Sequence, residues 1–288
     1  MVKMIATDLD GTLLNEYGVI SEQNSEAIKK AQQLGIPVVV VTGRSYVSAK
    51  KLVDAVGITC PIIGLNGAQT FTEEGVLTKS IPMHRDIYEK VIEMCEQQAT
   101  HFDIYTSKAN FTKSEESAFE TLLGFIKRSP HYNGQLDEAR KIAERYIEFE
   151  EFKPVENRFT TITEDVTVFK VICFSPDDER LKRIRTQLQQ IDDLIITASI
   201  KENLEFNSKD ANKGAALAKF AAELQIPMEE VMAIGDNFND VTMLQMAGRS
   251  VAMGNAEEEI KEMCHFVTKT NVEHGVAEAI EEMLAELE

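Results

Sequence analysis

The sequence predicts an α/β protein: an open, Rossmann-like, doubly wound parallel sheet interrupted by an inserted α+β domain. Three observations carry this reading. Val38-Val39-Val40-Val41 reads as a strand buried on both faces, the mark of a parallel sheet covered by helices. Toward both ends of the chain, short apolar runs alternate with amphipathic helical stretches, which implies right-handed crossovers in one sheet. Between them the alternation gives way to hairpins and helices in mixed order. The expected division is a first core part over 1–83, an insert over 84–190 and a second core part over 191–288.

In order, a short apolar run from Lys3 leads into Asp8-Leu9-Asp10-Gly11. Ser21 can cap a helix to Leu34, with Ala27, Ile28, Ala31 and Leu34 on one face; Gly35 stops it and Pro37 follows. After the valine strand come Thr42-Gly43-Arg44 and a helix from Ser45 to about Val56. Pro61 to Leu65 is a third short strand, ending at Asn66-Gly67. Thr70 to Ser80 reads as a hairpin around Glu73-Glu74-Gly75. The insert begins with an amphipathic helix from His84 to about Gln98. Strands at 102–106 and 110–113 follow, then helices at 117–126 and 137–146, a strong strand at 167–174 and a helix at 178–190. Leu194–Ser199 and Asn203–Phe206 look like two antiparallel strands. From Lys213 the alternation returns: a helix to Leu224 with Leu217, Phe220, Ala221 and Leu224 for the core, and a strand from Val231 into Gly235-Asp236-Asn237-Phe238-Asn239-Asp240. A further short helix, two short strands around the acidic helix 257–264, and a last helix from Val276 to Leu287 complete the chain.

The 288 residues are enough for a sizeable core, and the hydrophobic fraction of 43% and charged fraction of 27% are those of a globular protein. No apolar run approaches the roughly 20 residues of a membrane span. The first strand starts with no charged region or cleavage site ahead of it, so no signal peptide is expected. Cys60, Cys95, Cys173 and Cys264 lack CxxC spacing and read as buried free thiols, which with the rest implies a cytoplasmic location. The net charge of −18 would repel nucleic acid and anionic membranes. An anionic ligand would need a locally positive pocket of metal, lysine and backbone amides.

Such a pocket has candidates. In a strand, Asp8 and Asp10 point the same way, and each would raise the other's pKa if uncompensated. A hard cation would keep the pair ionised, and Mg2+ with its preference for oxygen fits best; a strand end with two solvated acids is the other reading of these residues alone. Asp8 and Asp10, Thr42 and Asp236 all end strands, and Lys213 begins a helix, where the dipole disfavours a cation and so hints at a partner. In open α/β sheets ligands bind at this edge. Thr42 could instead cap the next helix, Lys213 could be a solvated first-turn lysine, and Arg44 could contact a ligand or make a surface salt bridge.

Asp-Leu-Asp-Gly-Thr-Leu-Leu, Val-Thr-Gly-Arg, Asn-Lys-Gly and Gly-Asp-Asn-Phe-Asn-Asp resemble the four motifs of the haloacid dehalogenase (HAD) superfamily. The large insert, Leu65-Asn66-Gly67-Ala68 before it, and Leu204-Glu205-Phe206 and Val251 to Ala256 after it are similar to the Cof-type phosphatases and their sugar phosphatases. The resemblance covers almost the whole chain and implies a HAD-like core with a C2-type α+β cap. It implies a Mg2+-dependent phosphatase acting on small phosphate esters in the chemical class of sugar phosphates, as a monomer or homodimer. Asp8 would attack phosphorus, and Asp10 would protonate the leaving oxygen and then activate water. Asp8, the Asp10 carbonyl and Asp236 would hold Mg2+. Gly11 would let the backbone approach the phosphate. The Leu9 and Gly43 amides, Thr42, Lys213 and Asn239 would bind the phosphate, Asp240 would orient its neighbours, and Arg44 would touch substrate. The cap would exclude water and choose the leaving group. A phosphomutase shares this core. A receiver-like signalling module also groups acids, a threonine and a lysine around Mg2+, but its size, its lack of a cap and its acid placement differ.

Overall fold

The computed structural model describes residues 1–128, 134–155 and 162–286. It divides into two compact units, Met1–Ser80 with Asn212–Glu288, and Ile81–Ala211.

The first unit opens with β1 (Met4–Thr7), α1 (Glu22–Gln33), β2 (Val38–Val41), α2 (Tyr46–Asp54), β3 (Ile62–Gly64), β4 (Gln69–Phe71) and β5 (Leu77–Ser80). Both helices start where a serine can serve the exposed N–H groups of the first turn: Ser21 Oγ accepts from the Asn24 amide and Ser45 Oγ from the Ser48 amide. All four valines of β2 are buried, as a strand covered on both faces requires. Gly75 turns the β4–β5 hairpin at φ +82°.

The second unit holds α3 (Arg85–Gln97), β6 (His101–Thr106), β7 (Asn110–Thr112), α4 (Glu115–Arg128), α5 (Leu136–Glu150), β8 (Lys153–Pro154), β9 (Val168–Phe174), α6 (Asp178–Leu188), β10 (Leu194–Thr197) and β11 (Asn203–Ser208). Its sheet runs β10-β11-β9-β6-β7-β8. Val91, Ile92 and Cys95 of α3 and Ile184 and Leu188 of α6 pack on Ile104, Val171 and Phe206 of that sheet. The insert is therefore longer than the expected 84–190. The hairpin β10–β11, assigned by sequence to the core, pairs through β11 with β9.

The chain returns to the first unit with α7 (Lys213–Glu223), β12 (Val231–Gly235), α8 (Val241–Met246), β13 (Arg249–Ala252), α9 (Glu258–Met263), β14 (Phe266–Val267) and α10 (Gly275–Ala285). The last residue expected of this final helix, Leu287, lies outside the described residues. The sheet order is β14-β13-β12-β1-β2-β3-β4-β5, parallel from β14 to β3 and antiparallel at β4 and β5. Met4 and Ala6 of β1 share a core with Val39, Val41, Leu217, Ala233 and Met243.

Three side-chain placements differ from expectation. Leu34 and Leu224 occupy the C-cap positions of α1 and α7 and are 61% and 44% exposed, because each helix ends before bringing them onto its buried face. Cys60, Cys95 and Cys173 are buried free thiols, but Cys264, just past α9, is only half-buried. Among the described residues no helix is long and apolar enough to cross a membrane.

Candidate active site

β1 has β12 on one side and β2 on the other, so chain order reverses at β1. A crevice at the carboxyl ends of the strands is expected at such a reversal. Asp8 follows β1, Thr42 follows β2, Asp236 follows β12, and Lys213 is the first residue of α7.

Asp8, Asp236 and Lys213 meet. Lys213 has no exposed surface, and its Nζ donates to Asp8 Oδ1 at 2.8 Å and to Asp240 Oδ1 at 2.6 Å. The other Asp240 oxygen accepts the amides of Asp236 at 3.0 Å and Asn237 at 3.1 Å. Asp240 therefore fastens the lysine to the loop after β12 with both its oxygens. Thr12 Oγ donates to Asp236 Oδ1 at 2.8 Å, and Asn255 Nδ2 donates to the Gly11 carbonyl at 2.8 Å. Gly11 lies so close to Asp236 that a Cβ would stand 2.3 Å from its carboxylate, and its φ is +76°. Both facts demand glycine there.

The charge balance is lopsided. Oxygens of Asp8, Asp236 and Asp240 lie within 4.8 Å of one another, and all three residues are buried. With three ionised carboxylates and one ammonium, the cluster carries two uncompensated negative charges. Burial, and then the charge of Asp240, push Asp8 up to about 7 against the pull of Lys213. Burial, Asp240 and Asp8 raise Asp236 well above the ordinary carboxylate range. Burial pulls the Lys213 ammonium down, but Asp240 and Asp8 outweigh it and hold it charged. This all-oxygen donor set and its charge deficit fit a hard divalent cation.

Asp10 departs from the expected geometry. β1 ends at Thr7, and Asp10 sits in the turn beyond it, next to Gly11, so strand alternation does not relate it to Asp8. Its side chain is 51% exposed and takes two bonds from Arg44: Nε to Oδ2 at 2.7 Å and Nη2 to Oδ1 at 2.6 Å. The ion pair open to Arg44 in the sequence thus forms, but with the arginine buried, its Nη1 donating to Ser48 Oγ at 3.3 Å. Thr42 does not cap α2, a task Ser45 performs; its Oγ accepts the Arg44 amide at 3.1 Å. Asn239 is buried, and its Nδ2 donates to Asn66 Oδ1 at 3.4 Å.

Sequence reasoning did not single out Thr12, Asn66 or Asn255 as site residues. Thr12 and Asn255 reach partners 224 and 244 residues away, which no local spacing announces.

Comparison with known proteins points to one family. A family model described as haloacid dehalogenase-like hydrolase matches residues 5–280. Phosphatase YwpJ of Bacillus subtilis (strain 168) is 33% identical over 286 residues, covering 98% of this chain and 100% of that protein. The same organism's 5-amino-6-(5-phospho-D-ribitylamino)uracil phosphatase YwtE is 34% identical over 287 residues, covering 99% of each. The solved structure of a haloacid dehalogenase-like hydrolase from B. subtilis superposes with a TM-score of 0.91 at 33% identity, covering 98% of this chain and 100% of that one.

The chain belongs to the haloacid dehalogenase-like hydrolases. Within them it is an enzyme, a phosphatase of the Cof type.

Proposed function

We propose that this phosphatase hydrolyses small phosphate monoesters, sugar phosphates in particular, with Mg2+ as its cation and an acyl phosphate on Asp8 as its intermediate. The observation that carries the reading is the buried cluster of three carboxylates, two of which pair with Lys213. Asp8, Asp236 and the Asp10 carbonyl would hold the ion. When bound, it would supply positive charge against the phosphoryl oxygens.

The chain's own residues do the rest. An Asp8 oxygen bonds to phosphorus as the bond to the alcohol oxygen breaks. Asp10, protonated and released from Arg44, gives that oxygen its proton, then takes one from the water that displaces Asp8 from phosphorus. Lys213 has three N–H groups and spends two on Asp8 and Asp240, leaving one for a phosphate oxygen. Thr42 accepts the Arg44 amide, so its own proton is available to the phosphate. The Leu9 and Gly43 amides and Asn239 complete the cradle, which stabilises the charge spread over the transferring group. Arg44 acts here through Asp10, which it grips at both oxygens. The name of YwtE supports the substrate class, since it describes a phosphate carried on a ribityl chain.

The experiment is a panel of sugar phosphates, ribityl phosphates, nucleotides and phosphorylated cofactors, assayed with Mg2+ and with chelator. Release of inorganic phosphate in Mg2+ that stops in chelator and in Asp8→Asn is expected. Return of isomeric sugar phosphate would mark a mutase, and full activity of Asp8→Asn would remove the nucleophile assignment.

A further inference from the structure

Leu65, Asn66 and Gly67, immediately after β3, have φ of 51°, 58° and 96°. Left-handed backbone is costly for a residue with a Cβ, above all for leucine, and such strain persists only where surroundings enforce it. Hairpin loops commonly hold one or two residues at positive φ, which Asn66 and Gly67 suit, but Leu65 has the tolerance of neither.

The surroundings that enforce it are three loops of the candidate site. The Leu65 amide donates to the Arg44 carbonyl at 2.9 Å, and the Asn66 amide donates to the Thr42 carbonyl at 2.9 Å. The Asn66 side chain is 3% exposed and accepts from Asn239 Nδ2, in the loop after β12. Gly67 lies against the backbone of Asn212, where a Cβ would come within 2.5 Å of the carbonyl oxygen. Asn212 caps α7 through the Ala215 amide, one residue before Lys213. One strained turn thus touches the Thr42 loop, the Asn239 loop and the start of the Lys213 helix.

We propose that this turn sets the three loops in register, and that Asn66 is the positioning residue that aims the Asn239 amide at the phosphate. The proposal rests on reading Asn239 as a phosphate ligand. By accepting one N–H of that amide, Asn66 fixes the rotamer and leaves the second N–H directed elsewhere. Glycine tolerates positive φ, so Asn66→Gly removes the amide without adding backbone strain.

The test is a double-mutant cycle of Asn66→Gly and Asn239→Ala, read as kcat, KM and inhibition by inorganic phosphate, with melting curves for each variant. Asn66→Gly is expected to lower kcat/KM about tenfold and to weaken phosphate inhibition by a similar factor, at an unchanged melting temperature. In the Asn239→Ala background it should add less than about twofold, since the residue it acts through is gone. Factors that multiply in the double variant, or an Asn66→Gly enzyme with unaltered phosphate inhibition, would overturn the proposal. Asn239→Ala with unchanged kinetics would instead remove Asn239 from the phosphate site, and the proposal with it. Should Asn66→Gly fail to fold, Asn66→Ser, which also lacks the amide, runs the same cycle with the same expected outcomes.

Discussion

Lys213 Nζ lies between Asp8 and Asp240, and Asp236 stands beside them with the Thr12 hydroxyl on one of its oxygens. A buried carboxylate on which burial and two like charges outweigh the pull of Lys213 costs stability, and removing its charge should return some of it. Asp236→Asn is therefore expected to stabilise the cation-free protein by about 1–2 kcal/mol while lowering turnover at least about a thousandfold. Chemical denaturation in chelator and a phosphate-release assay check the two halves. The same reasoning fixes a pH dependence. Asp8 is raised to about 7, from about 4 in the unfolded chain, so over that window the folded state binds more protons. Stability of the cation-free protein should then fall as pH rises from about 4 to about 7, with Asp236 adding in the same direction. Mg2+, which competes with those protons, should raise the melting temperature more at pH 8 than at pH 5. Equal shifts at both would show that these carboxylates do not hold the ion.

At the scale of elements, the two helices that carry the Lys213–Asp240 contact are brought together by a glycine. A Cβ on Gly214 of α7 would stand 2.4 Å from the Thr242 carbonyl oxygen on α8, and the Gly214 amide donates to Thr242 Oγ. Gly214→Ala should cost about 1–3 kcal/mol in urea unfolding, because backbone must move to admit one methyl group. Elements of this kind were largely legible in the sequence. The valines of β2, the serine cap of α1 and the apolar runs of β1 and β12 are local signals, and each falls within a residue or two of its expected place. What failed was non-local. Alternation in β10 and β11 announces a hairpin but not that its third partner is β9, so the insert was drawn too short. Extending strand geometry past Thr7 likewise put Asp10 on the Asp8 side, whereas the turn at Gly11 carries it to Arg44. The motif residues themselves were readable because the carboxyl ends of the central strands concentrate them; the contacts of Thr12, Asn66 and Asn255 were not, because they are made by packing.

At the scale of the whole molecule, the site is assembled across the sequence. Asp8 bonds Lys213 from 205 positions away, across a complete second unit, and parallel pairing of β1 with β12 brings the loops of Asp8 and Asp236 together. The chain carries a net charge of −18, and its buried cluster adds to that excess rather than relieving it. An anionic ester can be held in such a protein only where charge is locally reversed, by Lys213, by the cradle amides and by a cation among the carboxylates. The central claim is that phosphate passes through Asp8. Acid quenching during turnover, followed by peptide mass spectrometry, tests it most directly: the peptide containing Asp8 should gain one phosphoryl group, lost again on mild alkaline treatment and never formed in Asp8→Asn. A phosphoryl group on any other residue, or an Asp8→Asn enzyme that still becomes labelled, would contradict it.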